Sequence, residues 1–371
     1  MANRVATAID GLLCYCRAGF EPELAAELGH RAAVEQRSGY AKAARGSGYV
    51  LFVSEDGDGL NHALSWRELI FARQKLRLIA ELQALDPKDR ITPILDALNT
   101  PETIARLGES RFGKSGFGEL VVEHPDSDEG KPLAGLARSF GNALRPALRK
   151  AGLLSKTDNP KLARLHIFFG AGDHAFVASS QPDDSASWPL GIPRLRMHAD
   201  APSRSALKLE EAFLTLLTVD ERERLLQPGM RAADLGAAPG GWTWVLTRHG
   251  LRVIAIDNGP LREHVMQSGL VEHQRADGFS WQPKQPLDWL VCDMVEQPRR
   301  VAERMATWFR EGWCRHAVFN LKLPMKKRWD ETQRCLGDFL EQSDRTLHVR
   351  AKQLYHDREE ITVFATIATR F

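Results

Sequence analysis

Four aspartates and a glycine-rich loop occupy the positions from which an α/β protein would do chemistry. The loop is Asp234-Leu-Gly-Ala-Ala-Pro-Gly-Gly-Trp242, and it begins where a short apolar, strand-like segment ends. Asp257, Asp277 and Asp293 each stand at or just beyond the end of a later strand-like segment. In open α/β sheets, ligands bind outside the carboxyl ends of the strands. The spacing therefore predicts one ligand site bordered by all four acids.

The glycine spacing argues against a phosphate ligand. A dinucleotide loop has the spacing G-x-G-x-x-G, which lets the backbone approach a pyrophosphate. Here Gly236 is followed by Gly240 and Gly241, with Pro239 in the turn and no lysine-hydroxyl pair of a P-loop. Proline offers no N–H, so a ligand without phosphate is favoured, and S-adenosylmethionine is such a ligand. Asp257 would accept from its ribose hydroxyls, Asp277 from its adenine amino group, and Asp293 would lie near the sulfonium.

The segment "DLGAAPGGW" resembles the cofactor loop of the FtsJ-like RNA ribose 2′-O-methyltransferases. That family uses a Lys-Asp-Lys-Glu tetrad, and this chain has matching residues in "SRSALKLEEAF", "VCDM", "FNLKLP" and "DREEITV". The resemblance implies a catalytic tetrad of Lys208, Asp293, Lys322 and Glu360, although Glu359 leaves the last assignment open. It also implies a set of cofactor-binding residues: Ser205, Asp234, Gly236, Ala238, Pro239, Gly240, Gly241, Trp242, Asp257, Asp277 and Asp293.

The segments "CDMVE", "FNLKLPMKKR" and "LYHDREE" extend this resemblance to bacterial members that methylate a cytidine ribose of 23S rRNA. A ribose hydroxyl is a poor nucleophile, so attack on the methyl group needs a general base. We assign that role to Lys322 and expect Lys208, together with partial burial, to lower its pKa. Asp293 and Glu360 would orient the lysines, and no metal is required because no phosphoryl or carbonyl group is polarised.

Each of these residues has a structural alternative. Lys208 has Glu211 three residues on, at the spacing of a helical surface pair. Cys292 invites a nucleophile hypothesis, but its place inside an apolar run favours a buried thiol. Asp293 is followed by Met-Val-Glu rather than by the Pro-Pro-aromatic sequence of amine methyltransferases. The competing functions are another RNA target such as tRNA or a base amine, a nucleotide-dependent oxidoreductase, and a non-catalytic RNA-binding protein.

The pattern of helices and strands predicts two halves. From about residue 201 onward, helix and strand segments alternate, which indicates a Rossmann-like, mostly parallel, doubly wound sheet with an antiparallel last strand. Before it we predict an α+β ferredoxin-like unit over 1–59, a THUMP-type RNA-binding domain over 60–185 and a linker over 186–200. The methyltransferase domain would span 201–371. The THUMP-type assignment comes from the resemblance.

Two groups of basic residues are candidate RNA contacts. Arg138, Arg145 and Arg149 fall on one face of a predicted long helix, and Lys326, Lys327 and Arg328 follow Lys322 closely. Either group is also consistent with a solvated charged face. Because the formal net charge is only +2, RNA binding would depend on such local clusters. The expected partner is 23S rRNA, bound before the subunit is fully assembled.

Composition excludes several classes of protein. With 371 residues, 43% of them hydrophobic and 26% charged, the chain is long enough for two or three domains with apolar cores. Five scattered cysteines do not form a disulfide framework, which favours the cytoplasm. The first residues lack the apolar region and cleavage site of a signal peptide. We expect no membrane association and a monomer.

Overall fold

The computed structural model describes residues 6–107 and 116–368. Their contacts divide the chain into two compact units, residues 1–192 and 193–371. Each unit contains its own seven-stranded sheet. Among the helices of the described segments, none is long and apolar enough to span a bilayer.

The N-terminal unit is an α+β structure built on one continuous sheet. Its strands lie in the order β2-β3-β1-β4-β7-β6-β5, with the bounds β1 Ala6–Tyr15, β2 Tyr40–Ala43, β3 Tyr49–Val53, β4 Gln74–Leu82, β5 Glu119–Glu123, β6 Arg164–Ala171 and β7 His174–Ser180. The helices are α1 Glu21–Val34, α2 Gly57–Ala63, α3 Ile91–Leu98, α4 Pro101–Leu107 and α5 Ala134–Lys150. The segments predicted as 1–59 and 60–185 thus share one sheet, because β1 pairs with β4.

Several details of this unit differ from the sequence prediction. The sequence of residues 62–70, HALSWRELI, predicts a helix, but α2 ends at Ala63 and a short 3-10 turn, Trp66–Glu68, follows it. Residues 186–192, expected to belong to a linker, pack with the first unit. Ala186 and Ile192 are buried, and the carbonyl of Ala186 accepts hydrogen bonds from the side chains of Gln74 and Arg164. The predicted long helix is α5. Gly170 and Gly172 between two apolar segments predict a hairpin, and β6 and β7 form it.

The C-terminal unit has the predicted doubly wound sheet, in the order β10-β9-β8-β11-β12-β14-β13. The strands are β8 Arg231–Leu235, β9 Arg252–Ile256, β10 Val271–Gln274, β11 Trp289–Cys292, β12 His316–Lys322, β13 Leu347–Lys352 and β14 Glu360–Ile367. Strands β8 to β12 are parallel, whereas β14 runs antiparallel between β12 and β13. The order reverses between β8 and β11, which is where open α/β sheets bind ligands.

Amphipathic helices cover this sheet. They are α6 Ala206–Leu216, α7 Val219–Leu225, α8 Gly241–Arg248, α9 Glu263–Met266, α10 Pro298–Arg310 and α11 Arg328–Ser343. The helical spacing of five apolar residues predicts one buried face, and all five are buried in the core: Leu209, Ala212, Phe213, Leu216 and Leu217. The three-residue spacing of Thr218 and Glu221 predicts a capping box, and the two residues form it at the start of α7. The core therefore fixes α6 and the ends of β8, β11 and β12 relative to one another.

Candidate active site

The glycine loop leaves β8 at the point where the strand order reverses, and its backbone donors are used internally. The N–H groups of Gly236 and Ala237 donate to the carbonyl of Ile256, and that of Gly240 donates to Ala237. The N–H of Ala238 donates to Asp257 Oδ2 at 2.9 Å. Pro239, joined by a cis peptide bond, has no N–H. Residues 236–240 therefore offer no free backbone donor to a pyrophosphate.

Two glycines of this loop stand where a side chain would not fit. Gly236 has a φ of +78°, and a Cβ there would lie 2.7 Å from Met294 Cγ. A Cβ on Gly241 would collide with the hydroxyls of Ser203 and Ser205. The glycine loop thus lies close to Met294, in the segment that follows β11, on one side, and to the start of α6 on the other. We call this loop, together with the adjoining Asp257 and the start of α6, the cradle. That it holds a small ligand without phosphate stays a prediction.

The predicted cofactor residues differ in how accessible they are. Asp257 is partly exposed at the end of β9, and its Oδ1 also accepts from the N–H of Gly259 at 2.7 Å. Asp277 is exposed and caps its own turn by accepting from the N–H of Phe279 at 3.0 Å. Ser205 is partly buried, with its hydroxyl 2.6 Å from that of Ser203. Carboxylate and hydroxyl oxygens can accept further hydrogen bonds, so these three residues remain available to a ligand.

Asp234 and Trp242 are built into the core. Asp234 is 1% exposed and accepts from the Thr243 hydroxyl at 2.6 Å. Trp242 is 2% exposed, and its Nε1 donates to the carbonyl of Ser205 at 3.0 Å. These contacts tie β8 to α8 and α8 to the start of α6. Both residues thus hold the elements on either side of the glycine loop in place. That they also contact the ligand stays a prediction.

The four tetrad residues come together at the carboxyl end of the sheet. Lys208 is in the first turn of α6, Asp293 follows β11, Lys322 ends β12 and Glu360 begins β14. The Nζ of Lys322 lies 2.5 Å from Glu360 Oε2 and 3.4 Å from Asp293 Oδ1. The Nζ of Lys208 donates to Glu360 Oε1 and lies 3.6 Å from Asp293 Oδ2. Two cations and two carboxylates thus form one closed ionic cluster.

The register of β12 and β14 explains why Glu360 rather than Glu359 faces the lysines. Lys322 is the direct cross-strand partner of Glu360 in the antiparallel pair, so their side chains share a face of the sheet. Glu359 lies just outside the strand and binds Arg328, with its side chain 54% exposed. Of the two neighbouring acids, Glu360 therefore contacts the lysines, whereas Glu359 contacts Arg328.

The expected lowering of the Lys322 pKa is wrong. Burial lowers the pKa of Lys322, but the hydrogen bond from its ammonium to Glu360 and the charges of Asp293 and Glu360 outweigh burial, so that the pKa is raised. Likewise, burial raises the pKa of Glu360, yet the hydrogen bonds from both lysines lower it overall. The sequence prediction counted the second lysine and omitted the close contact with Glu360.

Other candidates have structural roles. Cys292 is fully buried, and burial raises the pKa of its thiol to about 12, so the buried-thiol interpretation holds. Glu211 does not pair with Lys208, because it is 2% exposed and binds the backbone of Tyr355 and His356. All five cysteines lie in the described segments, where they are buried and form no disulfide.

One residue beside the tetrad was missed by the sequence analysis. Asn320 is fully buried in β12, and its Nδ2 donates to Asp293 Oδ1 at 2.8 Å. The sequence held a signal, because Asn320 is a polar residue in an apolar strand and stands two positions before Lys322. A strand places such residues on one face.

The two basic groups differ in their availability to RNA. Arg145 and Arg149 both bind Asp158, at 3.2 and 3.1 Å, and each also donates to a backbone carbonyl. Arg328 is engaged by Glu359. Arg138, Lys326 and Lys327 are exposed and form no ion pair within the described residues. A cleft of about 370 Å³ lies beside Lys322 and is bordered by Gln297, Arg299, Pro324 and Glu331.

Comparison with known proteins identifies the family. Models of three domains match: the RlmM ferredoxin-like domain over 9–76, the N-terminal region of ribosomal RNA large subunit methyltransferase M over 89–181, and the FtsJ-like methyltransferase over 201–312. Ribosomal RNA large subunit methyltransferase M of Xanthomonas campestris pv. campestris is 69% identical over 96% of this chain and 99% of its own. The chain belongs to this family. The relative from Xanthomonas axonopodis pv. citri is 68% identical over the same shares.

Solved structures with weaker likeness include TrmN from Thermus thermophilus, at 15% identity and a TM-score of 0.37 over 96% of this chain and 99% of that one. Another is SMU.472, a putative methyltransferase complexed with SAH, at 11% identity and a TM-score of 0.33 over 98% and 100%. The family assignment rests on the sequence relatives. As a member of the ribosomal RNA large subunit methyltransferase M family, the chain is an enzyme that uses S-adenosylmethionine as its methyl donor.

The first prediction from this geometry concerns Asp257. Asp257→Ala removes the acceptor expected for the cofactor ribose and also the side chain that holds the N–H of Ala238. Loss of such contacts costs about 1–3 kcal/mol, so calorimetry should show S-adenosylmethionine binding weakened about 5- to 150-fold. Glu272→Ala, at an exposed acid of β10, is the control. Unchanged binding in Asp257→Ala would place the cofactor elsewhere.

The second prediction concerns pH and Asp234. Burial raises the pKa of this carboxyl to about 7. Because the folded pKa exceeds the unfolded one, the folded protein loses stability as pH rises toward and through that value. Asp234→Asn should therefore increase the free energy of unfolding, and its advantage over the wild type should grow by about 2–3 kcal/mol between pH 5 and pH 8.5. Denaturant titrations at both pH values test this. The exposed acid variant Glu303→Gln should show no such growth, and equal behaviour of the two variants would contradict the prediction.

Proposed function

We propose that the chain transfers a methyl group from S-adenosylmethionine to the ribose 2′-hydroxyl of a cytidine in 23S rRNA, with Lys322 as the general base. The observation that supports this most directly is the closed cluster of Lys208, Asp293, Lys322 and Glu360 at the edge of the sheet that carries the glycine loop. Relatives that cover almost the whole chain are named for ribosomal RNA. The protein would act as a monomer in the cytoplasm, on rRNA that is not yet fully assembled.

The residues of the cradle fit the cofactor, which supplies a methyl group activated by a positively charged sulfonium. Asp257 and Asp277 would accept from its ribose and adenine, Ser205 would bind its amino-acid end, and the loop from Gly236 to Gly241 would follow its outline. The acceptor ribose would enter from the cleft beside Lys322, whose side chain is 29% exposed. Lys326 and Lys327 lie at the start of α11 and would attract the RNA backbone.

Lys322 can accept the hydroxyl proton only after it has lost its own. The raised pKa of Lys322 means that this loss is unfavourable at neutral pH. A positive charge added beside the cluster would lower the pKa of Lys322, so the cationic cofactor would favour the basic form. Lys208 would stay paired with Glu360 and keep that carboxylate in place while Lys322 turns toward the hydroxyl.

The decisive experiment identifies the methylated atom. The purified protein is incubated with 23S rRNA and methyl-labelled S-adenosylmethionine, and the product is digested to nucleosides. We expect the label in 2′-O-methylcytidine. Label in a base-methylated nucleoside or in another ribose-methylated nucleoside would contradict the proposal, and a parallel reaction with the large ribosomal subunit tests the assembly state.

A further inference from the structure

A buried chain of hydrogen bonds leads from the tetrad acid Asp293 into the sheet. Asn320 and Thr362 are direct cross-strand partners of β12 and β14, and both are fully buried. Asn320 Nδ2 donates to Asp293 Oδ1 at 2.8 Å, and Asn320 Oδ1 lies 2.7 Å from the Thr362 hydroxyl. The same hydroxyl lies 3.3 and 3.1 Å from the two carboxyl oxygens of Asp357, which is 1% exposed.

Counting hydrogens fixes the direction of this chain. An ionised Asp293 only accepts, so the amide nitrogen of Asn320 faces it and the amide oxygen faces Thr362. An amide oxygen also only accepts, so the single hydrogen of the Thr362 hydroxyl points to Asn320. A hydrogen bond between Thr362 and Asp357 must then be donated by Asp357, which requires a protonated carboxyl group.

Burial agrees with this protonation state, since it raises the pKa of Asp357 well above its usual value and the nearby negative charge of Glu360 raises it further. Asp357 Oδ2 accepts from the N–H of Leu354 at 2.9 Å.

The loop that holds Asp357 is itself anchored to α6. Glu211 accepts from the N–H groups of Tyr355 and His356 at 2.7 and 2.9 Å, and from the ring of His356 at 2.7 Å. Lys208 is on the same helix, so α6 positions both the loop that holds Asp357 and one lysine of the tetrad.

We propose that Asn320, Thr362 and Asp357 form a neutral positioning relay that holds the Asp293 carboxylate in its catalytic orientation. The relay rests on the proposed function, because it acts through Asp293 on the Lys322 proton transfer. Lys322 and Lys208 both lie closer to Glu360 than to Asp293, so the shortest hydrogen bond to Asp293 comes from Asn320. The amide of Asn320 does not titrate, so its hydrogen bond to Asp293 persists whether Lys322 is charged or neutral. The contact between Lys322 and Asp293 weakens when Lys322 loses its charge.

The test uses the full-length protein with 23S rRNA and variants along the relay. Thr362→Val leaves the Asn320 amide free to turn, and Asp357→Leu removes the donor behind Thr362. Each should reduce kcat about 5- to 100-fold, the range expected for one buried hydrogen bond. Cofactor affinity should stay unchanged, and the pH at which kcat is half-maximal should shift because Asp293 moves relative to Lys322. Asp357→Asn keeps a neutral donor and should remain within about threefold of the wild type.

Thr366→Val is the matched control. Thr366 is on the same strand and binds the cross-strand residue His316, away from Asp293. If Thr362→Val and Asp357→Leu bind the cofactor yet keep wild-type kcat and pH profile, or if Asp357→Asn loses as much activity as Asp357→Leu, the relay is refuted. The proposed function is tested separately by Lys322→Ala. If that variant is inactive, the proposed function stands even though the relay is refuted. An active Lys322→Ala, or label on a base, would instead refute the proposed function.

If the valine and leucine variants do not fold, the protonation of Asp357 is measured in the wild type by carbon NMR of labelled aspartate. A neutral carboxyl signal at pH 7, lost in Asp357→Asn, supports the relay, and an ionised signal overturns it.

Discussion

Lys322→Ala is expected to reduce the rate of methyl transfer about 10²- to 10⁴-fold, the range for loss of a general base, while S-adenosylmethionine binds with nearly unchanged affinity. The reason is geometric. The Nζ of Lys322 touches the two tetrad carboxylates and faces the cleft, but it makes no contact with the glycine loop in the described structure. Single-turnover rates with 23S rRNA, together with cofactor calorimetry, measure the two effects separately.

The control for this variant is Lys326→Ala. Lys326 is exposed, close in sequence and of equal charge, so its loss tests for weakened RNA binding without loss of the base. It should raise KM with little change in kcat. Near-normal turnover in Lys322→Ala would show that another group accepts the proton.

The pH profile gives an independent check on the same residue. Because Lys322 has a raised pKa, kcat/KM should rise with pH from neutrality into the alkaline range, as the basic form of Lys322 is populated. The residual activity of Lys322→Ala should lack that rise. A wild-type profile that is flat above pH 7 would contradict the assignment of Lys322 as base.

The sequence was sufficient to predict the catalytic half of the fold because its local signals agree with its packing. Short apolar strands alternate with amphipathic helices, and each strand end is marked by an acid or a lysine. The antiparallel β13–β14 pair also followed from two β-rich segments joined by a short turn. Parallel strand ends meet at one edge of a sheet, so residues far apart in sequence could be assigned to one site before any distance was known.

What the sequence did not reveal depends on partners that are distant in the chain. The pKa of Lys322 is set by Glu360, which is 38 residues away and reaches it through the β12–β14 register. Asn320 looked like an irregularity in an apolar strand until its contact with Asp293 was known. The arginines of α5 are correctly placed on one face, but Asp158, from a loop after the helix, occupies two of them. Helical spacing cannot show such a neighbour.

Removal of residues 1–192 is expected to leave a fragment that binds S-adenosylmethionine but does not methylate 23S rRNA at physiological salt. Residues 193–371 form a compact unit with their own sheet and apolar core, and all four tetrad residues and the cradle lie within it. We expect the first unit to provide most of the RNA affinity. Cofactor calorimetry and methyl transfer at low and physiological salt separate these properties. A fragment with full activity at physiological salt would contradict the prediction.

The RNA contacts within the first unit can be tested in the full-length protein. Each phosphate contact contributes about one unit to the slope of log affinity against log salt. Arg138 is exposed without an ion pair in the described structure, so Arg138→Ala should weaken binding and reduce the slope by about one unit. Arg145 and Arg149 must release Asp158 before they can bind phosphate. Asp158→Asn should therefore strengthen RNA binding and steepen the slope if these arginines bind RNA. An unchanged slope in Asp158→Asn would make Arg145 and Arg149 structural, and the remaining RNA surface would then be sought around Arg138 and at Lys326 and Lys327.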